Sequence, residues 1–300
     1  MIRMNNKIVS KVVIPVAGLG SRMLPASKAV PKEMLPIFNK PIIQVIVEEV
    51  LDVGFKEIIF ITNPSKQSIE DHFSKDLVLE KALEQKSDES MLKKIKEISK
   101  IYPLILKVCQ DEPKGLGHAI LSAKDLIGSE PFALVLPDMI IDSDHKKNNL
   151  AAMKRDFEKS GESSILLSKV KKTEVEKYGI AKFEKRNFKN FFFPLSDIIE
   201  KPTPKEAPSN LFAAGRYIFD NKILYYLSKE KPDTEGEIQL SGAISKFINS
   251  HNIVNGLLLQ GAVYDCGNKL GFLMANLAFS LKDRNIEKEV LKFIKKRFAK

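Results

Sequence analysis

Val12-Val13-Ile14-Pro15-Val16-Ala17-Gly18-Leu19-Gly20-Ser21-Arg22-Met23 runs from a short apolar segment into a glycine turn that ends on a cation. The apolar part, residues 12–16, is cut by Pro15 and reads as a strand buried on both faces. Two glycines after such a strand let backbone amides approach an anion closely, and the turn that follows can present further N–H donors. The dinucleotide fingerprint needs a third glycine where Met23 stands, and a P-loop needs a Gly-Lys-Ser/Thr that does not follow. The turn therefore suits a phosphate group without belonging to either of those motifs.

Outward from this segment, apolar runs recur at residues 58–61, 104–108, 132–136 and 165–167, with helical patterns between them. Pro41 stands where a helix can begin, and Ile42, Ile43, Val45, Ile46, Val50 and Leu51 form its buried stripe. Further helices are predicted from about Ser65, over the lysine-rich stretch 77–100, after Gly117 and over 149–159. Strands buried on both faces and alternating with helices imply an α/β fold, a doubly wound, mostly parallel, Rossmann-like sheet. Ligands in such sheets bind outside the carboxyl ends of the strands, so the segments after each apolar run are where chemistry is expected. From about Lys169 the pattern changes to shorter strands with prolines at 194, 202, 204 and 208. The reading is one domain over 1–300, with a first lobe over about 8–168 and a smaller lobe plus C-terminal helices over about 169–300.

Composition narrows the function less than the motifs do. No apolar run approaches the roughly 20 residues of a membrane-spanning helix, and the first residues lack a secretory signal, which points to a cytoplasmic protein without a membrane partner. Cys109 and Cys266 are too few for a disulfide framework, and Cys109 reads as a small buried hydrophobe. The histidines at 72, 118, 145 and 251 lack metal-ligand spacing, so any metal is expected to be a hard cation held by carboxylates. The net charge of +10 comes with acidic residues interleaved among the lysines, the mark of solvated helix faces, and no nucleic-acid partner is expected.

Four groups of residues concentrate polar chemistry. Arg22, then Pro31-Lys32-Glu33-Met34-Leu35-Pro36, bracket the glycine turn with two cations, suiting a triphosphate whose pyrophosphate must leave. Gln110, followed by Lys114-Gly115-Leu116-Gly117-His118, offers a side-chain amide that can pair with a pyrimidine edge, beside glycines on which a base can pack. His118 reads as a residue that caps or packs the helix start. Asp138 follows the run 132–136 and Asp265 follows a second short run; either carboxylate can hold Mg²⁺ against phosphates or merely cap a helix. Asp142 and Asp144 read as loop residues. Glu200-Lys201, after Tyr178-Gly179, pairs a hydroxyl acceptor with a phosphate cation.

Taken together, Gly-Leu-Gly-Ser-Arg at 18–22, Pro-Lys-Glu-Met-Leu-Pro at 31–36 and the later segments resemble the sugar-nucleotide pyrophosphorylases, most closely their bacterial UDP-glucose branch. The resemblance runs from Lys11 to about Gly271. It implies transfer of uridylyl from UTP to glucose 1-phosphate, with Mg²⁺ as cofactor and a homo-oligomer, dimer or tetramer, as the assembly. It makes the second lobe a sugar site. It assigns catalysis to Arg22, Lys32 and Lys201, nucleotide binding to Ala17, Gly18, Gly20, Ser21, Glu33, Gln110 and Gly115, sugar binding to Tyr178, Gly179, Glu200 and Lys201, and the metal to Asp138 and Asp265. The segments Ala207-Pro208-Ser209-Asn210-Leu211 and Gly215-Arg216-Tyr217 resemble the same sugar site. Ser21 stands where the family usually has threonine, which keeps the hydroxyl, and Gly242 where it usually has aspartate. Thymidylyl transfer to glucose 1-phosphate is the nearest rival; the Lys32-Glu33-Met34 variant and the long helical stretch 77–100 favour uridylyl. A catalytically silent sensor on the same fold is the rival of another class, and the retained Arg22, Lys32, Asp138 and Asp265 argue against it. The aromatic, lysine-rich stretch 183–193 carries no functional signal.

Overall fold

The computed structural model describes residues 8–143, 148–184 and 191–298. Asp144, His145 and part of the stretch 183–193 lie outside them. One long sheet forms the frame. Its strands run Phe192–Pro194, Val254–Leu258, Ser163–Lys169, Leu211–Phe219, Phe132–Val135, Lys11–Pro15, Glu57–Thr62 and Ile105–Cys109. The last four are parallel to one another. Leu211–Phe219 is antiparallel to both its neighbours, and Val254–Leu258 is parallel to Ser163–Lys169. Gly179–Lys182 and Asp197–Glu200 form an antiparallel ribbon attached at Phe212↔Ile180.

Alternate residues of the inner strands feed two separate cores, which is what a sheet covered on both faces requires. Val12, Ile14, Ile58 and Phe60 pack with the helices Ile42–Asp52 and Asn149–Ser160 on one side. Val13, Ile59 and Ile61 pack with Gly115–Ser122, Ile223–Ser228 and Leu240–Asn249 on the other. Each buried Ile or Phe contributes about 1.5–3 kcal/mol, so no single contact holds the layers.

Several expectations are corrected. The stretch 77–100 is two helices, Leu77–Gln85 and Glu89–Ser99, because Asp76 and Asp88 each accept from the first amides of a new helix and Ser87 turns at φ 56°. The helix expected after Gly117 begins at Gly115. Leu211–Phe219 is a nine-residue buried strand at the middle of the sheet rather than a short one. Asp142 ends the strand Met139–Asp142, paired with Ala262, and bonds Lys282 at 2.6 Å, so it is no loop residue. Cys109 is exposed, because Ile105–Cys109 is an edge strand.

Candidate active site

The carboxyl ends of the parallel strands converge on one region. After Lys11–Pro15 the chain turns at Gly20 in the left-handed conformation, φ 68° and ψ 28°, into the 3-10 turn Ser21–Met23. A side chain at Gly20 would press on Lys32 and Ser27, whereas nothing crowds Gly18, where the backbone edge stays open. Two bonds fix the loop: Ser27 Oγ donates to the Gly20 carbonyl at 2.7 Å and Asn63 Nδ2 to the Ala17 carbonyl at 2.6 Å. Ser21 is exposed, and Arg22 projects from the turn with 59% of its side chain exposed. Lys32, on the 3-10 turn Lys32–Met34, faces the same space.

Asp138 and Asp265 meet there through strand pairing. Met139–Asp142 and Ala262–Asp265 form a separate antiparallel ribbon with Asp265 opposite Met139, so both carboxylates lie at one end of it. Cys266 N donates to the Asp138 carbonyl at 2.7 Å, and Gly267 N to Asp265 Oδ1 at 2.9 Å. A side chain at Gly267 would strike Arg22, Asp265 and Asp138 together, which measures how closely the three converge. Lys32 Nζ lies 2.6 Å from Asp138 Oδ2; Arg22 stands 3.9 Å from Asp138 and 3.7 Å from Asp265. Tyr178 OH donates to Asp265 Oδ2 at 3.2 Å.

The turn bearing Asp138 is clamped from behind. Arg216, fully buried, donates Nε and Nη2 to Glu49 at 2.9 and 2.6 Å and Nη1 to the carbonyls of Leu136 and Gly215 at 3.3 and 3.2 Å. It therefore braces the turn that carries Asp138, and only Tyr217 of Gly215-Arg216-Tyr217 lines the cleft.

Charge at this point is tightly balanced. Burial alone would raise the Asp138 carboxyl, but the Lys32 ammonium with its hydrogen bond, and the Arg22 charge, hold it below the ordinary value. Burial pulls Lys32 downward, yet Asp138 and Glu33 outweigh it and keep the ammonium above the usual lysine value. Both groups are charged throughout the neutral range.

Gln110 follows the edge strand, buried, its amide nitrogen 3.0 Å from His118 Nδ1 and 3.4 Å from the Gly115 carbonyl. With the amide as donor, His118 accepts through Nδ1, so it orients Gln110 from inside the helix, in keeping with a packing role. Gly115, at φ 86°, and Gly117 admit Glu237 Cβ and the backbone of Ile238, which any side chain there would strike. The 115–117 glycines thus dock the segment 237–238. Glu33 carries its carboxylate inward instead of toward the cleft: it is 1% exposed and bonds Lys66 Nζ at 2.9 Å.

A cleft of about 240 Å³ opens beside the aspartates, lined by Arg22, Asp138, Tyr178, Gly179, Glu200 and Asp265 among others. Glu200 pairs with Gly179 across the ribbon, and a side chain at 179 would lie 3.3 Å from the Glu200 carboxylate. Lys201 is exposed at the rim, outside the cleft lining, with its backbone turned to φ 43° and its N–H on the Tyr178 carbonyl at 3.0 Å. Lys177, Tyr217, Glu237, Gln239 and Ser241 also line the cleft. Tyr217 belongs to a segment that resembles the sugar site; the other four carry no motif of their own, and their signal in the sequence is adjacency to Tyr178 and to the turn at Gly236. At Gly242 the Glu230 carboxylate fills the place of a side chain, and the helix Leu240–Asn249 starts without a side-chain cap.

The donor set fits a hard divalent cation shared with substrate phosphates. Mg²⁺ is commonly held by one or two carboxylates with phosphate oxygens completing its shell. Asp138 and Asp265 supply two, and no group of three or more His, Cys, Asp or Glu that could hold a metal occurs among the described residues. Among the described residues no helix is long and apolar enough to cross a membrane.

Comparison with known proteins identifies the family. The Nucleotidyl transferase family model matches residues 11–280. UTP–glucose-1-phosphate uridylyltransferase 1 of Staphylococcus saprophyticus is 42% identical over 287 residues, covering 96% of this chain and 98% of the relative. The uridylyltransferase of Bacillus subtilis is 40% identical over 288 residues, covering 96% and 97%. A UTP-bound enzyme of this kind from Acinetobacter baumannii superposes with a TM-score of 0.87 at 36% identity, covering 96% of this chain and 99% of that one. The chain belongs to the nucleotidyl transferase family.

Proposed function

We propose that this chain transfers uridylyl from UTP to α-D-glucose 1-phosphate, giving UDP-glucose and pyrophosphate. The observation that carries the reading is the meeting of Asp138 and Asp265 with Lys32 and Arg22 at the mouth of a cleft that also holds Glu200. The relatives that bear the uridylyltransferase name align over nearly their whole length, which supports the choice of UTP and glucose 1-phosphate.

No side chain need act as a nucleophile. A phosphate oxygen of glucose 1-phosphate attacks the α-phosphorus of UTP in line; the bond from that phosphorus to the oxygen bridging to the β-phosphate breaks, and pyrophosphate departs with its electron pair. The protein supplies position and charge. The loop Ala17, Gly18, Gly20 and Ser21 cradles phosphates with backbone amides, and Arg22 and Lys32 neutralise the departing pyrophosphate. Gln110 and Gly115 take the uracil edge. Tyr178, Gly179 and Glu200 take the sugar hydroxyls, and Lys201 swings in from the rim to the sugar phosphate. Asp138 and Asp265 would hold a divalent cation, for which we propose Mg²⁺; when bound it neutralises phosphate oxygens. Glu33 reaches the nucleotide through Lys32 rather than by contact.

The segment from about 169 onward is the proposed sugar lobe, and the cytoplasm the proposed compartment. A homo-oligomer, dimer or tetramer, is supported by the apolar side chains that the C-terminal helix Arg284–Phe298 leaves open, such as Phe293 at 67% and Phe298 at 74% exposed. Light scattering of the purified chain reads that state directly. For the activity, pyrophosphate release is measured for each nucleoside triphosphate against several sugar 1-phosphates. UTP with glucose 1-phosphate should dominate; a silent or flat profile overturns the reading.

A further inference from the structure

Lys66 is one of few charged side chains that the fold buries, 4% exposed on the 3-10 turn Pro64–Lys66 after the strand Glu57–Thr62. Its ammonium meets Glu33 Oε2 at 2.9 Å, and Glu33 Oε1 has no hydrogen-bond partner among the described residues. Such a pair is a poor stabiliser: desolvation offsets the attraction, and apolar side chains of equal volume often serve as well. Stability does not account for it; location does.

Glu33 follows Lys32 in one 3-10 turn, so a bond from Lys66 to Glu33 fixes the backbone that carries Lys32. At the other end of the Lys66 turn, Asn63 Nδ2 donates to the Ala17 carbonyl at 2.6 Å. The Asn63 amide is itself anchored, its Oδ1 accepting from Ser65 N at 2.9 Å and Ser65 Oγ at 2.6 Å. The strand beneath adds Val16 N to Ile61 O at 2.8 Å. One short turn therefore grips both the glycine loop and the Lys32 turn, while among the described residues the side-chain bonds of Asn63 and Lys66 run to those two pieces and to Ser65, away from the ribbon that carries Gly179 and Glu200.

We propose that Asn63 and Lys66 are positioning residues for the triphosphate, locking the glycine loop and Lys32 into one rigid cradle without touching substrate. The inference rests on reading Ala17, Gly20 and Lys32 as the triphosphate side. Two fixed pieces that must close on one ligand lose affinity when their relative placement loosens, even by a fraction of an ångström.

The test uses the full chain and measures kcat and both KM values, with UTP binding by calorimetry alongside. Asn63→Ala and the pair Lys66→Met with Glu33→Gln should each raise the KM and Kd for UTP roughly tenfold, with the KM for glucose 1-phosphate within about twofold. Lys66→Met alone leaves a buried carboxylate unpaired and is expected to lower Tm; the double substitution removes both charges and keeps the question open to measurement if the single variant does not fold. A purely structural role would lower Tm and shift both substrates together, and that result, or unchanged UTP binding, overturns the inference. Lys32→Ala serves as the control: if it lowers neither kcat nor UTP affinity, the triphosphate assignment itself falls, which separates that failure from failure of the brace.

Discussion

At the scale of single residues, charge compensation at Asp138 makes the sharpest statements. Asp138→Asn and Asp265→Asn should each lower turnover by roughly 10²–10³ while circular dichroism stays native, because a preorganised charge at the reacting phosphate is lost. Near-native turnover at saturating Mg²⁺ would remove that residue from the site. Stability gives an independent readout. Lys32 and Arg22 hold the folded Asp138 carboxyl below the unfolded value of about 3.9. A group depressed on folding contributes stability that is fully present above its unfolded value and lost as pH falls through its folded one. Asp138→Asn should therefore cost about 1–3 kcal/mol at neutral pH, and the Tm gap to the parent should close as pH drops below about 4. A gap that stays constant with pH would mean that the carboxylate is not compensated as described. The two thiols make a simpler case. Cys266 is buried and its thiol is pushed up to about 12 by burial first and by Asp138 and Asp265 next, while Cys109 is exposed on the edge strand. A thiol-reactive dye at mildly alkaline pH should count one cysteine in the folded chain and two in denaturant. The sequence could not give that ranking, because the length of an apolar run does not say whether its strand lies inside a sheet or at its edge.

Elements show best which local signals carry the fold. The parallel strands and the helix Ile42–Asp52 were legible because apolar runs and a helical stripe are written in neighbouring residues. The break inside 77–100 was also written there, in Asp76 and Asp88, but a continuous lysine-rich helical pattern masked both caps. What no local pattern could reveal was the ribbon Met139–Asp142 with Ala262–Asp265, whose partners lie more than a hundred residues apart. Both aspartates were identifiable from the segments that carry them; their convergence depends on that pairing. Burial of the Glu33 carboxylate against Lys66 escaped for the same reason. At the helix Leu240–Asn249 the tertiary neighbour can be tested directly. The Glu230 carboxylate lies where a side chain at Gly242 would go and pairs with Lys246 at 2.8 Å. Gly242→Asp alone should thus lower Tm, by about 1–3 kcal/mol in stability, since two carboxylates would share one partly buried place. With Glu230→Ala added, the aspartate gains both room and a helix N-terminus, and most of the loss should return. Independent, additive effects of the two changes would show that Glu230 does not occupy the place of the missing side chain.

Across the whole molecule, the sheet sorts the two proposed phosphate cations into different regions. Lys32 follows the first strand and bonds Asp138, whereas Lys201 follows the strand Asp197–Glu200 of the antiparallel ribbon and stands at the cleft rim. The strand Leu211–Phe219 lies between those regions, paired with Phe132–Val135 on one side and with the ribbon at Phe212 on the other. Because it is buried along its whole length, the two cations are held apart by a strand of the core and should serve different substrates. Lys32 is already fixed against Asp138, so its charge is preorganised, and preorganised charge acts most strongly where charge grows, on the leaving pyrophosphate. Lys201 is exposed at the surface, so its ammonium contributes mainly by capturing an incoming phosphate. A charge-assisted phosphate contact is worth on the order of 1.5–3 kcal/mol, roughly tenfold to more than a hundredfold in binding or rate. Lys201→Ala should accordingly raise the KM for glucose 1-phosphate by such a factor and leave the Kd for UTP, measured by calorimetry without the sugar, nearly unchanged. Lys32→Ala should lower kcat more than it weakens either substrate in the ground state. If Lys201→Ala weakens UTP as much as glucose 1-phosphate, the two cations share one phosphate site, and the division between the regions of the sheet is wrong.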